Sequence, residues 1–263
     1  MSAPLDGLTI VVTRPAAQAG RFLDLATRAG ARCIAFPTIA IERLSLASGT
    51  LDEVARTDWD WAIYTSTNAV DAAFAAFGGR LPTARRAAAV GRATARALDR
   101  HAVDVAVRPE TADSEGLLAS PELQDVAHAN VLLVKGAGGR DLLRDALTSR
   151  GAQVRQLEVY RRVRADPPPD VRAQLHTALA QHDCDCIVAV TSAEVLEALL
   201  QVVDATDAAR LRLRPLLLPG PRVAAVARRL DWGGPIVQAA TAEDDEMLHA
   251  LERFAAPGPA PTA

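Results

Sequence analysis

The chain has 263 residues, 49% of them apolar and 23% charged, enough to bury one large core or two of ordinary size. Its formal net charge of −3 provides no overall basic field to draw nucleic acid or an anionic membrane surface, so any anion site must be local. No apolar run approaches the about 20 residues that span a bilayer, and residues 1–7 lack a charged-then-apolar leader pattern, so the expected location is the cytoplasm.

From the N-terminus, Thr9-Ile-Val-Val reads as a buried strand ending in Thr13-Arg14-Pro15, followed by a helix from Ala17 to Ala29, a Gly30 cap and a strand through Phe36. Residues 36–44 form an extended, partly polar run. A strand from Asp60 ends in Thr65-Ser66-Thr67-Asn68 at a helix start, and Ala87 to Gly91 leads into a helix from Ala93 to Arg100. Asp104 to Pro109 is extended and is followed by helical Ser114-Glu-Gly-Leu-Leu. Val131 to Lys135 is a strand, then come Gly136-Ala-Gly-Gly-Arg140, a helix to Arg150, and a Gly151 cap opening a second extended run through Arg164. After Pro167-Pro-Pro, Asp185 to Val190 ends in Thr191-Ser192. Leu216 to Gly220 precedes a helix from Val223 to Leu230, Ile236 to Ala240 is a strand, Asp245-Glu-Met-Leu is helical, and Ala/Pro/Gly-rich residues 256–263 read as a disordered tail.

This alternation is that of parallel sheets with crossover helices. It is also written twice. The strand–helix–Gly–strand unit at Thr9 matches the unit at Val131, Asp60 to Val70 matches Asp185 to Val195, Ala87-Gly91 matches Leu216-Gly220, and Asp104 onward matches Ile236 onward. Each half has strands for a sheet of about five, giving two flavodoxin-like, doubly wound parallel-sheet α/β domains. The two extended runs occupy corresponding places and read as crossing linkers at 38–43 and 158–165. Residues 1–37 then belong with 166–255 in an outer, discontinuous domain, and 44–157 form an inserted one; a plain split near residue 129 is the alternative. The cleft between the domains is the expected working site.

In doubly wound sheets ligands meet the carboxyl ends of the strands, where helix N–H groups face them. Those segments supply Thr13, Arg14, Ser66, Asn68, Thr94, Lys135, Gly136, Gly138, Arg140, Ser192 and Arg222, rich in hydroxyls, small residues and cations and almost free of carboxylates. Such a set suits a polyanion. Lys135 is the single lysine beside 28 arginines and stands at the strand end equivalent to Arg14, so both are expected to face the cleft. The Gly136–Arg140 stretch lacks the ending of a P-loop and the spacing of a dinucleotide turn, and a plain flexible turn is its other reading. Ser66, Asn68, Thr94 and Ser192 have helix capping as their alternative. Tyr160 lies mid-linker and can donate a proton or hydrogen bond, helped by Arg161 or Arg162; its alternative is an amphipathic aromatic with its hydroxyl in water. None of the five histidines sits at a strand end. Cys33, Cys184 and Cys186 have no second ligand pair, so no metal is expected.

Taken in order, Thr13-Arg-Pro, Phe36-Pro-Thr-Ile-Ala-Ile, Trp61-Ala-Ile-Tyr-Thr-Ser-Thr-Asn-Ala-Val, Ala89-Val-Gly-Arg-Ala-Thr-Ala, Ser114-Glu-Gly-Leu-Leu, Lys135-Gly-Ala-Gly-Gly-Arg, Glu158-Val-Tyr-Arg-Arg, Thr191-Ser-Ala-Glu and Arg222-Val-Ala resemble the uroporphyrinogen-III synthase family from about residue 8 to 253. The resemblance implies two domains joined by a two-stranded β linker. It implies a cofactor-independent cyclising lyase of haem biosynthesis that converts hydroxymethylbilane into uroporphyrinogen III, with loss of water and inversion of ring D. Tyr160 resembles the tyrosine that assists departure of the hydroxyl, and Thr94 and Ser66 resemble the family's cleft hydroxyls. The implied partners are the small-molecule substrate and, transiently, hydroxymethylbilane synthase, with neither nucleic acid nor membrane, and the protein is expected to be a monomer. Gly220 stands where relatives carry Ser or Thr, and Lys135 where Arg is commoner, which keeps the charge but loses a two-pronged donor. The alternative is a non-catalytic tetrapyrrole- or anion-sensing module on the same scaffold. A two-lobed sugar- or nucleotide-binding protein, which would want stacking aromatics in the cleft, is more distant.

Overall fold

A computed structural model of the chain describes residues 3–109, 111, 113–139, 141–181 and 186–256. Arg140, Cys184, Asp185 and residues 257–263 of the anticipated tail lie outside the described residues. The chain divides into two compact units, residues 1–40 with 163–263 and residues 41–162. It passes from one to the other inside two strands, β3 (Ile39–Arg43) and β8 (Gln153–Arg164).

Unit 1 opens with β1 (Thr9–Val12), α1 (Ala16–Arg28) and β2 (Arg32–Ala35). It resumes after β8 with α7 (Pro169–Ala180), β9 (Cys186–Ala189), α8 (Ala193–Val202), α9 (Ala205–Leu211), β10 (Leu216–Pro219), α10 (Gly220–Arg229), β11 (Ile236–Ala239) and α11 (Asp244–Ala255). Its sheet runs β11-β10-β9-β1-β2, with parallel pairing throughout. β1, β9 and most of β10 are buried on both faces, which is why they read as continuous apolar runs. On one side Phe22 and Ala26 of α1 and Met247 and Leu251 of α11 close over Ile10, Val12 and Leu217.

Unit 2 contains α2 (Ser48–Arg56), β4 (Trp59–Tyr64), α3 (Thr67–Ala76), β5 (Ala84–Ala89), α4 (Arg92–Asp99), β6 (Val105–Val107), α5 (Ser114–Ala119), a 3-10 turn (Pro121–Leu123), β7 (Asn130–Gly136) and α6 (Leu142–Ser149), then β8. Its sheet runs β3-β8-β7-β4-β5-β6. One face packs Tyr64, Leu132, Val134 and Leu157 against Val70 and Ala73 of α3 and Leu98 of α4; the other packs Ile63 and Leu133 against Leu117 and Leu147.

The repeated segments occupy the same places in both sheets. Reading β11-β10-β9-β1-β2 beside β6-β5-β4-β7-β8, each strand stands opposite its sequence match. Numbered within its own unit, the first order is 2-1-3-4-5 and the second 3-2-1-4-5. They are one arrangement with the chain entering at different strands. In both, the order reverses at the same gap, between β1 and β9 and between β4 and β7, and a ligand crevice is expected outside the carboxyl ends of those pairs.

Candidate functional site

The strand ends flanking each reversal are built alike. In unit 1 the Thr13 hydroxyl donates to the Ala189 carbonyl at 2.7 Å; in unit 2 the Thr65 hydroxyl donates to the Val134 carbonyl at 3.3 Å. Each threonine therefore ties the two strands of the gap together, and Thr13 is fully buried in doing so. Each following helix is capped by a serine: Ser66 Oγ accepts from the Ala69 N–H at 3.1 Å, Ser192 Oγ from the Val195 N–H at 3.2 Å. The hydroxyls at these helix starts are thus fixed by cap geometry and keep a free direction toward the strand ends.

In unit 2 that direction is occupied. Ser66 Oγ stands 3.1 Å from the Tyr160 hydroxyl, and Arg162 Nη2 donates to the same phenol oxygen at 3.4 Å with its guanidinium over the ring, 5.8 Å from the centroid. Tyr160 is 2% exposed, so its hydroxyl does not rest in water. Arg161, the other candidate helper, points elsewhere and pairs with Glu42 at 2.8 Å. Because Arg162 already donates to the phenol oxygen, the phenol's own proton is available to Ser66 or to a ligand. Ser66 and Gly136, both half-buried, lie against it.

A local irregularity brings the tyrosine there. Lys135 pairs with Glu158 and Gly136 with Tyr160, leaving Val159 as an extra residue on β8. By strict alternation Tyr160 would share the side of Glu158. The bulge sends it to the side of Leu157 and Val159, the side of α3.

The strand-end cations are committed within their own units. Arg14, 8% exposed, pairs with Asp244 at the start of α11, donates to the Ala242 carbonyl at 3.2 Å and covers the Phe22 ring. Lys135, 7% exposed, reaches Asp141 at 3.4 Å. Asp141 also accepts from Gln156 at 2.9 Å and pairs with Arg144 at 3.1 Å; the Gln156 hydrogen bond first, then Lys135 and Arg144, hold its carboxyl below the usual range. Thr94 is buried in α4, Gly138 is exposed with φ +74°, Asn68 lies in the first turn of α3, and Arg222 is exposed in the first turn of α10. Arg92, which the sequence reading passed over, is the exposed first residue of α4. Its position after a strand end was the available signal.

Two cavities in unit 1, of about 600 Å³ between β2 and α7 and about 430 Å³ beside α7 and α9, are lined by none of these residues. The second holds the His176–Asp207 pair, 3.0 Å apart, which joins α7 to α9. Among the described residues no group of three His, Cys, Asp or Glu could hold a metal, and no helix is long and apolar enough to cross a membrane.

The family model described as uroporphyrinogen-III synthase HemD matches residues 21–249. The uroporphyrinogen-III synthase of Salmonella typhimurium is 34% identical over 255 residues, 93% of this chain and 100% of that protein. That of Synechococcus elongatus is 29% identical over 266 residues, 96% of this chain and 97% of that protein. Among solved structures, a mutant uroporphyrinogen III synthase from Thermus thermophilus shares the fold with a TM-score of 0.61 at 24% identity, covering 94% of this chain and 98% of that one. The Helicobacter pylori enzyme does so with a TM-score of 0.60 at 15% identity, covering 94% and 99%.

Proposed function

The chain belongs to the uroporphyrinogen-III synthase family, whose members are cyclising lyases of tetrapyrrole biosynthesis, and we propose that Tyr160, on Ser66 and Arg162, is the residue that drives loss of the substrate hydroxyl. The reaction takes hydroxymethylbilane, a linear tetrapyrrole with eight carboxylates. The tyrosine gives a proton to the terminal hydroxymethyl oxygen, the carbon–oxygen bond breaks, and water leaves. The resulting azafulvene cation closes on ring D through a spiro intermediate, which inverts that ring, and the α proton that ring D sheds on final closure restores the phenol, so that water is the only by-product. Because the cation forms readily, the protein's larger task is to hold the chain in the one folding that closes this way.

The observation that carries the assignment of Tyr160 is its 3.1 Å contact with the half-buried α3 cap at the strand-order reversal of unit 2. Substrate carboxylates fall to exposed Arg222 and Arg92 and to the hydroxyls of Ser66 and Ser192; buried Thr94 supports the start of α4, and the Gly136–Gly138 turn, whose Ala137 and Gly138 N–H groups go to Tyr160 and Glu158, shapes the site beside them. Asn68 adds an amide beside Ser66, and Arg140 is kept as a carboxylate contact from its place in the sequence. Thr13, Arg14 and Lys135 shape the strand ends; to bind a carboxylate, Arg14 and Lys135 would exchange Asp244 and Asp141 for it.

Purified protein given enzymatically generated hydroxymethylbilane should yield the type III isomer, and type I product alone would refute the reading. Tyr160→Phe keeps the ring and removes the proton, so turnover should fall about 100-fold with little change in melting temperature. Unchanged turnover would remove Tyr160 from this role.

A further inference from the structure

We infer that Gly136 is a positioning residue for Tyr160: the side chain it lacks is the space in which the phenol ring lies. This rests on the assignment of Tyr160 as proton donor. Gly138 and Gly139 have φ of +74° and +81°, conformations that favour glycine by themselves. Gly136 is not among the positive-φ glycines, so its backbone suits any residue and only its surroundings explain the glycine. A Cβ built there would stand 2.6 Å from Tyr160 Cζ and 2.9 Å from both Cε2 and the hydroxyl oxygen, distances that packed atoms do not adopt.

The ring can yield only by leaving its place. It is packed in the core formed with Tyr64, Val134, Leu157 and Val159. The bulge that aims it is pinned on both sides, by the Ala137 N–H on the Tyr160 carbonyl at 2.7 Å and the Leu44 N–H on the Val159 carbonyl at 3.0 Å. The Gly138 N–H donates to Glu158 Oε1 at 3.3 Å and holds the turn against the same strand. A methyl group at 136 therefore pushes the phenol off its 3.1 Å contact with Ser66 by roughly an ångström, a misplacement large enough to cost about 100-fold in rate. Gly136 thus acts through its neighbour, as the floor on which the proton donor is set.

The test is a double-mutant cycle on formation of the type III isomer. Gly136→Ala alone should lower kcat by roughly 10- to 100-fold with a much smaller change in KM. In the Tyr160→Phe background, where no phenol proton remains to be misplaced, the same alanine should lower kcat less than about twofold further. A full Gly136→Ala penalty in that background would assign the glycine to substrate contact or to folding and overturn the inference, as would wild-type kcat in Gly136→Ala itself. Failure of the predicted coupling in a chain that still forms the type III isomer overturns this inference alone; loss of that isomer in the unmutated protein sinks both readings. Should Gly136→Ala melt too early to assay, thermal midpoints decide. Alanine at 136 should destabilise the wild-type chain but leave the midpoint of Tyr160→Ala, which has no ring, unmoved; an equal drop in both overturns the proposal.

Discussion

Tyr64 and Tyr160 share one core and differ in what their hydroxyls meet. Tyr160 finds Ser66 and Arg162, whereas the Tyr64 hydroxyl, on a residue 1% exposed, has no hydrogen-bond partner among the described residues, and burial pushes its phenol far above the ordinary range. An unpaired buried hydroxyl costs about 1–3 kcal/mol, and the isosteric phenylalanine removes the cost while keeping the ring. Tyr64→Phe should therefore raise the unfolding free energy by about 1 kcal/mol in denaturant titration; a loss of stability would show that the hydroxyl has a partner. At this scale the sequence named Tyr160 and left two arginines as helpers. Alternation along β8 puts Arg162, two residues on, on the side of Tyr160 and Arg161 on the other, so that choice was open to the sequence; which side of the sheet they share follows from the Val159 bulge, and that bulge exists only once β8 is paired with β7.

The helices and strands carry a second kind of information, in how their ends are secured. Ser66 and Ser192 announce themselves as caps from their place after a buried strand, and both accept the N–H three residues on. The start of α6 was not legible in the same way. Asp141 serves there as an ion-pair and hydrogen-bond centre for Lys135, Gln156 and Arg144 and makes no side-chain cap. Its carboxyl is held below the usual range, so the folded state gains from its charge above the unfolded carboxylate pKa and loses that gain as pH falls through the lowered folded pKa. Asp141→Asn should thus melt earlier than the parent near neutral pH, and the two curves should converge in acid below the ordinary carboxylate range. A gap independent of pH would mean that the charge is not what stabilises α6.

At the scale of the whole molecule, each unit has its own buried core, with Leu132 at the centre of one and Leu217 of the other, both fully buried. A buried Leu→Ala change costs about 2–5 kcal/mol. Leu132→Ala should lower a calorimetric transition belonging to residues 41–162, and Leu217→Ala one belonging to the rest of the chain. A single transition shifted equally by both would show that the units unfold as one. The duplication also explains why the two sheets share a strand order although the chain enters them at different strands: the matched units pack against the same neighbours regardless of which comes first.

The sequence by itself determined the alternating strands and helices, the two-fold repetition and the parallel α/β class; it also pointed to the strand ends for hydroxyls and glycines and to the second extended run for Tyr160. These are properties of local periodicity and of order along the chain, which each segment carries alone. Only the tertiary structure decided which side of β8 Tyr160 and Arg162 occupy together, and that Arg14 and Lys135 are held by Asp244 and Asp141. Arg14 and Asp244 are 230 residues apart, and Ser66 and Tyr160 are 94. Such pairings depend on register and on which elements become neighbours, and no window of sequence short enough to show a period contains both partners.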